Sequence, residues 1–339
     1  METKGGAGGV GVTMRDIGKR IGVSAVTVSK ALAGKPGVSE EMRQKIVELA
    51  DSLGYVNPNA RPSDTVRSLD VGILVPDRFF SNDTFYAMFY KQLMQTLTEA
   101  GHFGILELVS ENMQRDLTLP NIVRSDRADA LILLGQPTQT YTQLILAQSI
   151  PVVALDFYYA GVQMDAVIGD STFGAAQLTE HLISRGHRDI GFLGNPKATS
   201  SIMERFLGFT SAMLMNDLQV RPECIVKDRD VRNVIQPLVL PEKLPTAFVC
   251  NCDIMARVLV EQLLHRGVRV PEDVSVVGYD DFNNVPGSIP LTTFRVDTAA
   301  MCRLAVKLVE ERFTGSTRPV GRTVVGGECV WRDSVRTIR

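Results

Sequence analysis

The sequence predicts an α/β protein with parallel sheets in two lobes, preceded by a small all-α module. Three observations lead there. From residue 71 onward, short apolar runs alternate with amphipathic stretches at helical spacing. Ahead of them, residues 13–57 hold three helical patterns and no such run. The chain has 339 residues, more than one core usually organises.

Bulk composition narrows the function classes. Hydrophobic residues make up 45% and charged residues 22% of the chain, ordinary values for a chain with a large buried core. The formal net charge is −2, which excludes a uniformly basic nucleic-acid coat. Residues 1–60 hold eight Lys/Arg against six Asp/Glu, a local +2, and the rest carries −4. Five cysteines (224, 250, 252, 302 and 329) at irregular spacing read as reduced thiols of a cytosolic protein rather than a disulfide framework. No signal peptide and no membrane-length apolar run stand out, so the expected location is cytoplasmic, without membrane partners.

Residues 1–12 read as a flexible glycine-rich tail. Gly6-Ala7-Gly8-Gly9-Val10-Gly11 matches G-x-G-x-x-G, but that pattern binds a pyrophosphate only between a strand and a helix. Met-Glu-Thr-Lys before it forms no buried strand.

The helical module follows. Thr13-Met14-Arg15-Asp16 is a capping box that starts a helix, with Ile17 and Ile21 on one face and Lys19 and Arg20 outside. Gly22 takes the left-handed turn, and Ser24 caps a second helix whose Val28 and Leu32 point inward. Ser39 caps a third, striped by Met42, Ile46, Leu49 and Leu53. Helix, tight turn, helix, loop, helix is the helix-turn-helix plan, although a generic three-helix bundle would share it. The second helix is slim near its start, as entry into a DNA major groove demands. Ala25 and Val26 can touch thymine methyls, Thr27 and Ser29 can bond phosphates, and Lys30 can reach a guanine edge or a phosphate.

In the lobes, the runs lie at 71–75, 104–109, 128–134, 151–156, 165–170, 189–194, 247–251, 274–280 and 291–296. Helices are expected at Phe85–Ala100, Ala175–Arg185, Arg205–Met215, Ile254–Arg266 and Ala299–Phe313. Strands apolar on both faces imply parallel sheets covered on both sides. Ligands of such folds lie beyond the carboxyl ends of the strands. Asp77, Asp156, Asp170, Asp280 and Asp281 stand there, with Phe157, Tyr158 and Tyr159 just after Asp156. Carboxylates at strand tips can accept paired hydrogen bonds from sugar hydroxyls, and aromatic faces can stack on a sugar ring. Each aspartate can also cap the next helix, Asp77 and Asp170 above all.

Other chemistry finds little support. Cys250-Asn251-Cys252 has no second Cys/His pair to complete a zinc site. His102, His187 and His265 sit at helix ends, a structural role. No G-x-S-x-G or H-E-x-x-H occurs, so the chain is expected to be no enzyme and to need no cofactor or metal.

The run "VTMRDIGKRIGVSAVTVSKALAGKPGVSEEMRQKIVELADSLGY" closely resembles the DNA-binding headpiece of the lactose-repressor (LacI/GalR) family of bacterial transcriptional regulators. Its G-V-S-x-x-T-V-S-K and V-S-x-x-x-R-x-x-I motifs carry the resemblance, which continues to the end of the chain. The resemblance implies a two-lobed, periplasmic-binding-protein-like (type I) effector domain behind a helix-turn-helix headpiece. It further implies a homodimer on a two-fold symmetric operator, controlled by a small polar effector of the carbohydrate class. It places Ala25, Val26 and Lys30 at base-reading positions, and Thr13, Ser24, Thr27, Ser29 and Tyr55 at backbone-contacting or supporting ones. "MERFLGF" points to Arg205 as an effector contact, "VVGYDD" to Asp280 and "VVALD" to Asp156. Cys252-Asp253 stands where the family usually has Asn-Asp, which adds Cys252. Helix 85–100 and the surface near 281–289 are the implied dimer interface.

The implied domains are a headpiece at 13–57, a hinge at 58–70 and an effector and dimerisation domain at 71–339. Lobe 1 would comprise about 71–164 and 297–325, and lobe 2 about 165–296 and 326–339. The hinge departs from the family pattern. Pro62 and Asp64 lie where a hinge helix would form, so Val66-Arg67-Ser68-Leu69 is the displaced hinge, with Leu69 as its minor-groove wedge. The rival reading is a sugar-binding receptor of the same two-lobed fold without regulatory DNA binding. Such a receptor would carry an export signal and no headpiece.

Overall fold

The computed structural model describes residues 13–32, 37–53, 55, 68–80, 85–282 and 288–338, in two units divided after residue 67. The glycine tail and the hinge positions Pro62, Asp64, Val66 and Arg67 lie outside the described residues.

The first unit holds α1 (Met14–Ile21), α2 (Ala25–Leu32) and α3 (Glu40–Ser52). Thr13 closes a reciprocal capping box with Asp16, whose Oδ2 accepts from the Thr13 N–H at 2.9 Å. Gly22 adopts φ 80°, and its N–H and that of Val23 both return to the Gly18 carbonyl. Ser24 Oγ accepts the Thr27 N–H at 3.1 Å and starts α2. Ile17, Val28, Ala31, Ile46 and Ala50 form a small core, and Arg43 donates to the Ala31 carbonyl at 3.1 Å, tying α3 to α2.

The second unit is two sheets covered by helices. The first sheet is wholly parallel, in the order β11-β5-β4-β3-β1-β2. Its strands are β1 (Asp70–Pro76), β2 (Phe103–Val109), β3 (Ala130–Leu134), β4 (Val152–Leu155), β5 (Asp165–Gly169) and β11 (Arg322–Val325). Helices α4 (Phe85–Glu99), α5 (Glu111–Arg115), α6 (Asn121–Arg124) and α7 (Gln139–Leu146) connect these strands. The second sheet is parallel, in the order β7-β6-β8-β9. It comprises β6 (Ile190–Leu193), β7 (Ile225–Val226), β8 (Ala247–Cys250) and β9 (Ser275–Val277). Beside it, β10 (Thr293–Val296) and β12 (Gly327–Val330) form an antiparallel ribbon. Helices α8 (Ser171–Ser184), α9 (Ser200–Met215) and α10 (Asp253–His265) cover this lobe, and α11 (Thr298–Phe313) packs on α4, β4 and β5 of the first. Among the described residues, no helix is long and apolar enough to cross a membrane.

Two expectations change. The boundary between the lobes does not fall at 164/165, because β5 pairs with β4 and β11 and so belongs to lobe 1. Buried Asp165 fastens it there, accepting from Arg312 Nε at 2.6 Å and Arg318 Nη2 at 3.0 Å. Leu69 is no wedge. Its side chain is 0% exposed, packed with Val71, Ile73, Leu93 and Leu97 in the lobe 1 core. Its N–H donates to His102 Nδ1 at 3.3 Å and its carbonyl accepts from Phe103 N–H at 2.8 Å. Removing a leucine from such a site costs about 2–5 kcal/mol, so the side chain is committed to the lobe.

Candidate DNA-binding helix and effector cleft

On α2 the inward residues are Val28 and Ala31, which leaves the opposite face to Val26, Ser29 and Lys30, all exposed. Val26 is 65% exposed, an apolar side chain held out in water beside a lysine. Ala25 and Thr27 are half-buried at the helix start, where the Thr27 hydroxyl lies 2.8 Å from Ser24 Oγ. Thr13 and the basic Lys19 and Arg20 are exposed on α1. Tyr55 packs partly against the helical core, with its N–H on the Ala50 carbonyl at 3.0 Å. This face offers small apolar groups, hydroxyls and cations, and no acid among the described residues of α2.

In the second unit, strand tips of both lobes meet at a cavity of about 460 Å³, within the usual range for small-ligand sites. Lobe 1 contributes Asp156 after β4, Tyr86 from the first turn of α4, and Arg78. Lobe 2 contributes Arg205 from α9, Cys252 at the start of α10, and Asp280 after β9.

Two of these carboxylates sit on strained backbone. Asp156 has φ 68° and Asp280 φ 99°, left-handed values that cost a non-glycine residue energy. Both are pinned by neighbouring strands: Asp156 N–H donates to the Val167 carbonyl and Asp280 N–H to that of Phe294, each at 2.8 Å. The strain turns both carboxylates into the cleft. Asp156 Oδ2 accepts from the Tyr86 hydroxyl at 2.7 Å, and Asp280 Oδ1 from Arg205 Nη2 at 3.1 Å. The second oxygen of each has no hydrogen bond within the described residues.

Arg205 is buried. Its Nη1 donates to the Asn251 carbonyl, its guanidinium carbon lies 3.8 Å over the Tyr279 ring, and its Nε has no partner. Burial opposes its charge, but Asp280, Tyr279 and Asp156 outweigh burial and keep it protonated. Burial raises the Asp156 and Asp280 carboxyls, against the pull of Arg205 on both. Burial likewise pushes the Cys252 thiol up to about 11, so it stays a neutral thiol. Beneath these groups, buried Asp228 accepts from Asn251 Nδ2 at 2.8 Å and Arg229 Nε at 2.7 Å. That network fixes the floor of the cleft.

The cleft gathers Asp156, Arg205, Asp280 and Cys252 but neither Asp77 nor Phe157. Asp77 is exposed at the start of a short 3₁₀ turn, and its successors Arg78 and Phe79 line the cavity instead. Phe157 is fully buried in the core of lobe 1, edge-on to Tyr159 at 6.0 Å. Among the other strand-tip residues, Asp170 caps α8 and Asp281 pairs with Arg295 and Arg332. Tyr86, Arg78 and Arg229 escape a reading of strand tips. Arg229 stands in "KDRD", between strands, where no apolar run marks it.

Comparison with known proteins agrees with this architecture. Residues 13–59 match the model described as bacterial regulatory proteins, lacI family, and residues 179–335 match that of a periplasmic binding protein-like domain. The ribose operon repressor of Haemophilus influenzae is 27% identical, over 96% of this chain and 99% of its own. The transcriptional repressor PurR of Photobacterium profundum is 28% identical over the same shares. Among solved structures, the transcriptional regulator CelR in complex with cellobiose is 25% identical and superposes with a TM-score of 0.67, covering 95% of this chain and 99% of that one. The lac repressor dimer bound to operator and the anti-inducer ONPF also scores 0.67, at 21% identity over 96% and 100%. With a lacI-family helix-turn-helix region at its start and a periplasmic binding protein-like domain behind it, the chain has the organisation of the lacI family of bacterial regulatory proteins.

Proposed function

We propose that the protein is a transcriptional repressor. A homodimer reads a two-fold symmetric operator through α2, and a small polyhydroxylated effector held between the lobes sets its affinity. Ala25, Val26 and Lys30 meet base edges, and Thr13, Ser24, Thr27, Ser29 and Tyr55 position the helix on the phosphate backbone. Asp156 and Asp280 each offer a carboxylate oxygen to hydroxyl groups, Arg205 Nε is a buried donor awaiting an acceptor, and Cys252 lines the wall. Relatives named for ribose and a structure with cellobiose favour a carbohydrate. The exposed apolar side chains of Met88 on α4 and Phe103 and Ile105 on edge strand β2 support pairing of two copies. The protein would act at the chromosome, in the cytoplasm.

The observation that carries this reading is the orphan Nε of Arg205, buried between two acids that come from different lobes. The test has two arms. An operator is selected from random duplexes and its binding followed by fluorescence anisotropy. Lys30→Ala should weaken it by about 1–3 kcal/mol if the lysine reads a base, with ligand binding intact. Arg205→Ala should keep operator binding and lose the ligand response. Undiminished operator affinity in Lys30→Ala, or an intact response in Arg205→Ala, removes the role given to that residue.

A further inference from the structure

Among the described residues, Arg78 is the cation of the cleft without an ion pair. Arg205, Arg229, Arg312 and Arg332 each pair with an aspartate. The guanidinium of Arg78 instead donates from Nη2 to the Gln136 carbonyl at 2.7 Å and leans on the Phe79 ring, 4.9 Å from its centroid. Its Nε is buried without a partner among the described residues. Among the described residues no carboxylate lies within ion-pair distance of it. Burial pulls its pKa down, and Tyr159 and the carboxylates of Glu111 and Asp77, none of them in ion-pair contact, only partly offset that.

Its place is as telling as its lack of a partner. Arg78 lines the effector cavity and also an adjoining one of about 530 Å³. In the second, Arg115, Lys197 and Arg232 join it, against Glu111 as the acid. Arg115 is taken by Asp116 at 2.9 Å, but Lys197 and Arg232 are exposed toward solvent without ion pairs among the described residues. An anion near Asp156 and Asp280 would be repelled, whereas at Arg78 it meets net positive charge. A planar guanidinium with open N–H groups matches a carboxylate or a phosphate.

We propose that the effector carries an anionic group, a carboxylate or a phosphate, which Arg78 binds at the junction of the two cavities while Asp156, Arg205 and Asp280 hold its hydroxyls. The inference rests on the effector reading above and adds the charge and the orientation of the ligand. A neutral sugar would leave a desolvated cation unpaired, and a charged one would end that penalty.

Matched probes test it by calorimetry on the full-length protein: glucose, glucuronate and glucose 6-phosphate; galactose and galacturonate; ribose and ribose 5-phosphate. The carboxylates and the phosphates separate the two anion types. At least one charged probe should bind about 10- to 100-fold tighter than its neutral parent, as a charge-assisted hydrogen bond implies. The preference should shrink with added salt, collapse in Arg78→Met and survive in part in Arg78→Lys. If a neutral parent binds as tightly as its charged forms, or Arg78→Met keeps the preference, the anion assignment fails and the carbohydrate reading stands. If none of the seven binds, the carbohydrate reading fails and the assignment falls with it.

Discussion

Asp253 sits at the first position of α10 with its carboxyl buried. Oδ1 accepts from Thr293 Oγ1 and Oδ2 from the Phe282 N–H, both at 2.8 Å. Gly278 leaves the room for it, since a Cβ there would lie 1.8 Å from Oδ1. Burial first, and then the charge of Asp280, push the carboxyl up from 3.8 to about 8. The folded state therefore binds a proton that the unfolded state has released. The stability this proton contributes is full below the unfolded value and is lost as pH rises through about 8. The thermal midpoint of the two-lobed unit should fall between pH 6.5 and pH 9, and Asp253→Asn should make that fall shallower. Equal slopes in scanning calorimetry would show that the proton resides elsewhere. Single residues also show how far sequence carries a site. Asp156 and Asp280 are legible because an acid directly after an apolar run marks a strand tip. Tyr86 is not legible: its hydroxyl finds Asp156 seventy residues away, and no periodicity encodes that distance. Arg78 is hidden by its neighbour Asp77, which takes the strand-tip position while the next side chain enters the cleft.

At the level of elements, the glycine of "MERFLGF" has a packing reason. At Gly208, α9 lies against the backbone of α8, and a Cβ on it would lie 2.1 Å from the Thr172 carbonyl oxygen. Neither backbone can give way there without moving a helix, and Arg205 stands about one turn earlier on α9. Gly208→Ala should cost about 1–3 kcal/mol through overpacking, seen as a lower thermal midpoint of the two-lobed unit. It should also weaken ligand binding, because Arg205 moves with its helix. An unchanged midpoint would mean the helices separate freely. Gly18 serves the headpiece in the same way: its Cβ would meet the Val23 carbonyl oxygen at 2.6 Å across the turn. Gly18→Ala should abolish operator binding and leave the midpoint of the two-lobed unit untouched; retained operator affinity would oppose this. The longer elements are legible because their cores are continuous: β1 is buried from Val71 to Pro76, and α11 and α4 carry apolar stripes. The short ones are not. β7 has two residues, and β11 and β12 are largely exposed, so neither run length nor alternation marks them. Leu69 misleads for a related reason: one residue ahead of a strand, a hinge leucine and a core leucine look alike in sequence.

On the scale of the whole molecule, the chain passes between the lobes three times, after β5, after β10 and after β11. The first and third crossings are tied together, Asp170 N–H donating to the Val325 carbonyl at 2.9 Å. Three short crossings form a hinge about which the lobes can close. The cleft supplies the reason for closure, since Tyr86, Asp156 and Arg78 stand on one lobe and Arg205, Asp280 and Cys252 on the other. A ligand that bridges both sets binds the closed arrangement better, and only such a differential affinity can shift the equilibrium. If the shift reaches the operator-binding unit, linkage fixes its size in both directions. Saturating effector should change the operator dissociation constant by some factor, about 5- to 150-fold for typical allosteric coupling. Saturating operator must then change the effector dissociation constant by the same factor and in the same sense. Anisotropy measures the first and calorimetry on the DNA complex the second, both at one protein concentration above the dimer dissociation constant and one salt concentration. Matching factors support one closure equilibrium serving both sites, and factors that disagree would show that binding is coupled to a further step such as dimer assembly.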